Sequence, residues 1–404
     1  MFPSRTPLTL KRWFDSSCGS KLVVPGKERF ELKAKRVLIT GGAGFVGSHT
    51  ADALLAAGHE VRIFDNLTSQ VHQDGQFSYI PKFAEFILGD IRNKSQVDKA
   101  VQGMDVIFHL AAAVGVGQSM YQIADYTATN NLGTANLFQA ILDMRSEPEK
   151  IVVASSMSIY GEGAYRCSDC GEVAPSPRPL NQLKEKRWET ACPICGKDLA
   201  PVPTREDKPL QCTSIYALSK KDQEEMTLLF GSTYQIPVVA LRYFNIYGTR
   251  QSLSNPYTGV AAIFASRLMN RKSPVIFEDG RQMRDFVSVH DIALANLLAM
   301  QNSGADGRAI NIGSGQPVTI SEVAAELETA LALNSPPEIT GKYRAGDIRH
   351  CFGDISVATQ LLGYQPKMRL KEGIEELVAW LESQQASDNV DEAMQRLSAY
   401  GLVA

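Results

Sequence analysis

No stretch of this 404-residue chain approaches the roughly 18 uninterrupted apolar residues that a membrane helix needs, so no membrane span is predicted. A charge excess of one sign is also missing. Against 44 acidic residues stand 41 basic ones, and the net −3 sets up no field that would draw the chain to nucleic acid or an anionic membrane. There is no internal repeat and no low-complexity tract. At 44% apolar and 21% charged residues, the composition excludes a disordered, collagen-like or coiled-coil protein. Cysteine is sparse and odd in number: of seven, four form two Cys-x-x-Cys pairs, while Cys18, Cys212 and Cys351 stand alone. That is not the disulfide framework of a small secreted domain, and it points to a reducing, cytoplasmic location. Residues 1–35 are basic and contain Ser and Pro but have no apolar core followed by a small-residue cleavage site, so no secretory signal is predicted. Asp15, Glu28 and Glu31 argue against an organellar transit peptide, leaving an N-terminal extension without an assigned role.

What is present is a rhythm. From Arg36, short apolar runs at 37–39, 61–64, 85–88, 106–110, 151–154 and 238–242 alternate with helical patterns such as 45–57 and 131–144. Alternation of that kind predicts an α/β fold built on a doubly wound parallel sheet covered on both faces. The length allows two to three domains at roughly 150 residues each. Past residue 248 the pattern becomes mixed, which suggests a smaller C-terminal domain. Residues 162–210 are rich in Pro, Cys and charge, lack periodicity, and are read as an insertion. The expected boundaries are therefore 36–161 and 211–248, with a return segment at 285–312, for the sheet domain. The second domain takes 249–284 and 313–382, followed by a C-terminal tail at 383–404.

Gly41-Gly42-Ala43-Gly44-Phe45-Val46-Gly47 follows the first strand and opens a helix. Glycines at this spacing allow a tight turn, bring backbone N–H groups up to a pyrophosphate, and permit close packing of helix on strand. The helix N-terminus favours the negative charge. Asp65, 21 residues past Gly44, ends the second strand. A carboxylate there accepts from ribose hydroxyls and repels a 2′-phosphate, so NAD is expected rather than NADP. Asp90-Ile91 after the third run suits an adenine-edge contact or a solvated turn. Ala111-Ala112-Ala113 offers backbone access to a cofactor or simple helix packing.

Ser155-Ser156-Met157-Ser158-Ile159-Tyr160-Gly161 follows the run at 151–154, and Tyr216 and Lys220 lie four apart at the start of the next helical pattern. Residues four apart share a helix face. A nearby ammonium favours tyrosinate and pulls the phenol toward neutrality, which would make Tyr216 a general base toward a sugar hydroxyl.

Together GGAGFVG, Asp65, His109-Leu110-Ala111-Ala112, Asn130, SSMSIYG, YALSK and Arg242-Tyr243-Phe244-Asn245-Ile246-Tyr247-Gly248 resemble the extended short-chain dehydrogenase/reductase family. The closest group is the NAD-dependent nucleotide-sugar epimerases and dehydratases, and the likeness spans about residues 36–382 apart from the insertion. The resemblance implies a Rossmann-type domain, a substrate domain and a homodimer. It implies a catalytic Ser156, Tyr216 and Lys220, with Asn130 behind them. Cofactor contacts would come from Gly41, Gly44, Phe45, Val46, Asp65, Asn66, Asp90, Ile91, Leu110, Ala111, Ala112, Asn130, Tyr216, Lys220 and Tyr243. On the substrate side it implies Ser158 on the sugar, Asn245, Arg284 and Arg344 on a diphosphate, and Asp347 on a ribose. Relatives that eliminate water place acids directly after the catalytic Ser/Thr. This chain has Met157 and Ser158 there, which leaves the minimal set of a 4-epimerase that inverts C4 through a transient 4-keto sugar. The likeness leans toward enzymes acting on dTDP-L-rhamnose, with UDP-hexoses as alternatives. Net oxidation or dehydration of the same sugars is the rival within enzymes. A non-catalytic NAD-bound regulator whose insertion binds a partner is the rival outside them.

Cys167-Ser168-Asp169-Cys170-Gly171 and Cys192-Pro193-Ile194-Cys195-Gly196 are two Cys-x-x-Cys-Gly knuckles with 21 residues between Cys170 and Cys192. That spacing suits a structural zinc ribbon with Cys167, Cys170, Cys192 and Cys195 as tetrahedral ligands; a redox disulfide or coincidence are the other readings. A closed four-thiolate site has no open position for substrate. Cys212, near Tyr216, is read as a bland thiol rather than a nucleophile.

Overall fold

Seven strands, all parallel, form the spine of the molecule: β1 (Arg36–Thr40), β2 (Glu60–Asp65), β3 (Glu85–Leu88), β4 (Val106–His109), β5 (Lys150–Ser156), Val238–Tyr243 and Arg308–Ile312. The computed structural model describes residues 34–72, 79–344 and 346–403. The expected N-terminal extension lies outside them up to residue 33. The spatial order runs Arg308–Ile312, Val238–Tyr243, β5, β4, β1, β2, β3. The chain therefore reverses direction across the sheet between β1 and β4, and a crevice opens at the C-terminal ends of those two strands.

Local sequence explains the elements. Strand Lys150–Ser156 carries the β-branched Ile151, Val152 and Val153 and is buried along its whole length, as a central parallel strand must be. Helix Ile215–Tyr234 begins where the Ser214 hydroxyl accepts from Ala217 N at 3.1 Å, and ends at Gln235 in the left-handed region, φ +57°. One face of the sheet is closed by a cluster that includes Leu38, Val97, Ile107, Leu137, Phe138 and Phe230, with Phe138 stacked on Phe230 at 4.4 Å.

Past the sheet, strand Met283–Ser288 pairs in parallel with Asn245–Tyr247 and His350–Cys351, and antiparallel with Pro317–Thr319. Helices Val260–Met269, Ile320–Ala330 and Leu370–Leu381 pack on one another around Phe264, Phe286, Leu327 and Leu377. This is a second hydrophobic core. Residues 390–399, within the segment read as a tail, form a helix: Leu397 sits 3.1 Å from where a Cβ on Gly117 would lie. Tyr400 then stacks on Tyr121, and Val403 bridges to Arg344.

The insertion has its own three-stranded antiparallel sheet, with Ala164–Cys167 between Gly171–Val173 and Ala200–Val202, and a small core of Tyr165, Cys167, Cys192 and Leu199. Among the described residues no helix is long and apolar enough to cross a membrane.

Candidate active site

β1 delivers the glycine turn to the crevice. Gly41 has φ +70°, and a Cβ there would meet Ala111 backbone at 2.8 Å; one on Gly47 would meet the Gly41 carbonyl at 2.2 Å. Only glycine fits at either position. The helix that follows, Phe45–Ala56, is capped by Gly44 with no side-chain acceptor and has no acid in its first turn. Its leading N–H groups thus lack a carboxylate partner and face where a phosphate would sit. Asp65, at the end of β2, accepts from Ala43 N at 3.1 Å and Leu67 N at 2.9 Å, which ties the second strand to the glycine turn. Beside it, Asn66 donates to Asp90 at 3.1 Å, and the Arg92 guanidinium holds the Asp90 carboxyl down to about 2. Ile91 is buried. Leu110, Ala111 and Ala112 leave β4 half-buried along the same crevice.

Asn130 is fully buried in a π-helical turn, Thr127–Leu132. Its side chain makes three bonds, accepting from Ala113 N at 2.8 Å and donating to Ala113 O at 3.1 Å and Ser219 Oγ at 2.8 Å. It therefore splices the loop after β4 to the helix that carries Tyr216 and Lys220. Extra turns of this kind often mark sites where a helix must be re-aimed.

Ser156 ends β5 and caps a 3₁₀ turn, accepting from Ser158 N at 3.2 Å and Ser158 Oγ at 2.9 Å. Lys220 Nζ donates to Ala154 O at 2.9 Å, so the helix is pinned to the strand two residues from Ser156. Tyr216, one turn earlier, is half-buried, with its backbone N–H on Ser119 Oγ at 3.0 Å and its ring edge-on to Tyr126. Serine, tyrosine and lysine thus converge at the crevice. The electrostatics differ from the sequence-based expectation. Burial pushes the Tyr216 phenol up, and the opposing pull comes from a hydrogen bond to Ser156. Burial also lowers Lys220 to about 7, so its charge is weakened rather than projected at the phenol.

Beneath this surface lies a network that sequence reasoning missed. Ser155 Oγ donates to Glu224 at 2.6 Å, Arg242 pairs with Glu224 at 2.6 Å and donates to Tyr160 Oη at 2.8 Å, and Tyr160 donates to Asn311 at 2.7 Å. A charged arginine inside the otherwise apolar strand 238–243 was the available signal. Tyr243, next to it, donates to Asn296 at 2.6 Å. Met157 is packed in an apolar cluster with Tyr160, Phe244, Ile348 and Cys351. Burial raises Cys212 to about 11, which fits an unreactive thiol.

On the strand after Phe244, Asn245 Oδ1 is buried with no hydrogen-bond partner among the described residues. Arg344 pairs with Asp347 at 2.9 Å, and Arg284 reaches the same carboxylate at 3.7 Å. Burial pushes Asp347 up, but the two guanidinium groups outweigh it and hold the carboxyl below its usual value. Arg284 is also held by the carbonyls of Met283 at 2.9 Å and Arg349 at 3.0 Å.

The four knuckle cysteines come together. Their sulfurs all lie within 4.8 Å of one another, with Cys167 and Cys195 at 3.5 Å. A zinc tetrahedron with bonds of about 2.3 Å needs sulfurs roughly 3.8 Å apart, a spacing that falls within this bound. Backbone N–H groups of Asp169 and Cys170 pull Cys167 down to about 7, while the hydrogen bond to the Cys195 thiol and burial push Cys170 up to about 12.

The model of the NAD dependent epimerase/dehydratase family matches residues 37–181 and 190–313, breaking off only between the two knuckles. A dTDP-L-rhamnose 4-epimerase from Burkholderia thailandensis is 32% identical over 354 residues, 87% of this chain and 96% of that protein. A putative UDP-glucose 4-epimerase from Methanocaldococcus jannaschii is 33% identical over 349 residues, 86% of this chain and 98% of its own. Among solved structures, Thermus thermophilus UDP-glucose 4-epimerase in complex with NAD superposes with a TM-score of 0.69 at 29% identity, covering 87% of this chain and all of the other.

Proposed function

Given that the chain belongs to the NAD dependent epimerase/dehydratase family, we propose that it is a nucleotide-sugar 4-epimerase. The observation that carries this is what surrounds Ser156 and Tyr216. Met157 is buried in an apolar cluster and Ser158 is bonded to Ser156, while the buried Glu224 is committed to Arg242. An elimination needs an acid and a base beside the sugar ring, and these positions supply neither. Inversion at C4 needs only one proton moved on and off the C4 oxygen.

The residues that would hold NAD are Gly41, Gly44, Phe45 and Val46 at the pyrophosphate, Asp65 and Asn66 at the adenosine ribose, and Asp90 and Ile91 at the adenine. Leu110, Ala111, Ala112, Tyr243, Tyr216 and Lys220 line the rest, with Asn130 supporting them. The uncapped helix N-terminus and the space kept by Gly41 and Gly47 fit that group. Bound NAD supplies a reversible two-electron acceptor, so the C4 alcohol can pass through a ketone and return on either face. Tyr216 takes the C4 hydroxyl proton and gives it back; Ser156 holds the C4 oxygen and hydrogen-bonds the phenol; Lys220 anchors the helix to β5. Asn245, Arg284 and Arg344 bind the diphosphate, Asp347 a ribose hydroxyl and Ser158 the sugar. Two guanidinium forks suit a diphosphate.

The substrate is dTDP-L-rhamnose or a UDP-hexose, since relatives carrying both names align over nearly their full lengths. The insertion binds one structural zinc through Cys167, Cys170, Cys192 and Cys195, supported by their converging sulfurs. Exposed Ile123, Leu132, Leu218 and Leu229, on helices that pack beside one another, favour a homodimer. The free thiols favour the reducing cytoplasm. Incubation with a panel of dTDP-, UDP- and GDP-sugars, followed by NMR, tests the assignment. Two C4 epimers in a fixed ratio are expected; a 4-keto-6-deoxy product would replace the epimerase with a dehydratase.

A further inference from the structure

The insertion does more than fold around its cysteines. It holds residues 347–354, the segment that follows the diphosphate-side Arg344, from several directions at once. At its near end, the Glu162 carboxylate accepts from Arg349 N at 2.9 Å and His350 N at 3.3 Å, and Gly163 N donates to His350 O at 2.8 Å. A Cβ on Gly163 would sit 2.7 Å from that carbonyl, so the two strands run in direct backbone contact. At its far end, Thr204 N donates to Phe352 O at 2.8 Å and Thr204 O accepts from Asp354 N at 3.0 Å.

Between these ends two side chains of the insertion reach into the loop. Arg178 donates to Asp347 O at 3.1 Å and Trp188 O at 3.1 Å while pairing with Glu278 at 2.8 Å. Glu189 takes the Arg349 guanidinium on Oε1 and His350 Nε2 on Oε2, the latter at 3.0 Å. His350 Nδ1 in turn accepts from Met283 N at 3.1 Å, next to Arg284. The Arg349 side chain is fully buried, and its carbonyl and that of Ile348 are acceptors for Arg284. Glu189 lies three residues before the ligand Cys192, and Gln182 Nε2 bonds its carbonyl at 2.6 Å.

We propose that the cysteine insertion is a clamp on the nucleotide-diphosphate loop, with Glu189 and Arg178 as positioning residues that aim Arg284 and Asp347 from outside the substrate's reach. The clamp rests on the assignment of Arg284, Arg344 and Asp347 to the substrate nucleotide. It makes the metal knot part of substrate affinity. Geometry set at Cys192 passes through Glu189 to Arg349 and His350, and from their backbone to Arg284. Nothing in this path touches the glycine turn or Asp65, so cofactor retention is independent of it.

The test is Glu189→Ala in the full-length, metal-loaded protein, since a half-exposed carboxylate can be removed without opening a cavity. UDP and dTDP binding is measured by calorimetry, kcat and KM with the sugar nucleotide the wild type turns over, and NAD content after denaturation. Couplings of this kind predict a roughly five- to tenfold rise in both Kd and KM, with kcat and NAD content retained. Glu189→Gln keeps acceptors for both partners and should recover most of the affinity. Cys195→Ser, at the exposed ligand, should move the same Kd in the same direction. Wild-type Kd and KM in Glu189→Ala overturn the clamp, as does loss of NAD in step with nucleotide affinity, which would mean general unfolding. An unchanged Kd in Cys195→Ser overturns the link from the knuckles. A wild-type protein that binds neither nucleotide overturns the functional reading, and the clamp with it.

Discussion

The two walls of the crevice are built by opposite means. The glycine turn at the heart of the cofactor wall is made of consecutive residues: a strand ends, glycines turn, and a helix begins within Thr40–Phe45. Its polar groups are few, and a parallel ladder holds it together. The wall proposed to hold the nucleotide is assembled from four distant segments around 162–189, 278–284, 344–350 and 204, joined by ion pairs around the buried Arg178, Glu278 and Arg349: Arg178 and Arg349 share Glu278, and Arg349 also takes Asp279 and Glu189. Buried ion networks add little net stability compared with apolar packing, but losing one member strands the others. One wall is therefore specified by shape and the other by charge pairing, and they should fail differently.

The largest contrast lies in turnover. Tyr216→Phe should lower kcat by roughly 10²- to 10⁴-fold, because the phenol bonded to Ser156 is the acid–base group of the proposed mechanism, while calorimetric nucleotide-sugar affinity stays close to wild type. Equal losses in both would move Tyr216 from chemistry to binding. Next in size, Arg349→Met leaves Asp279 and Glu189 without their shared cation, and should cost about 3–5 kcal/mol in denaturant unfolding. A cost well below that would mean that the network is solvated.

On the cofactor wall, Gly47→Ala puts a methyl group into the Gly41 carbonyl. Overpacking of this order costs about 1–3 kcal/mol, and the purified variant should carry markedly less dinucleotide; full NAD content would show that the turn can shift. The most gradual effect is electrostatic. Burial lowers Lys220 to about 7 from its ordinary 10.5. Between those values the unfolded chain holds a proton that the folded one does not, so stability rises with pH by up to about 1.4 kcal/mol per unit. Lys220→Met should flatten that rise, as read from melting temperatures between pH 7 and 10; an unchanged slope would place the titration elsewhere.

The same contrast explains what was legible in the sequence. Gly41, Gly44, Asp65, Ser156, Tyr216 and Lys220 could be picked out because each sits at a strand end or helix start with a fixed offset. The structure brings them to one crevice. The cysteine knuckles were legible for the same reason, since two ligands lie three residues apart in each. Arg178, Glu189, Glu278 and Arg349 were not, because an ion pair between residues 71 to 160 positions apart leaves no spacing to read. Arg284 and Arg344 were visible as motif members, but their convergence on one carboxylate, Asp347, was not. The predicted pull of Lys220 on Tyr216 failed for a related reason: chain distance placed the ammonium correctly, but burial and the Ala154 carbonyl decide its charge.

The central claim is that C4 is oxidised and restored within one active site, with nothing eliminated. Sugar nucleotide deuterated at C4, incubated with the enzyme in ordinary water and followed by NMR, addresses it directly. Retention of deuterium at C4 in both epimers, with no NADH accumulating at 340 nm, is the predicted result. Loss of the label to solvent, or its appearance at C6 of a dehydrated product, would contradict the account.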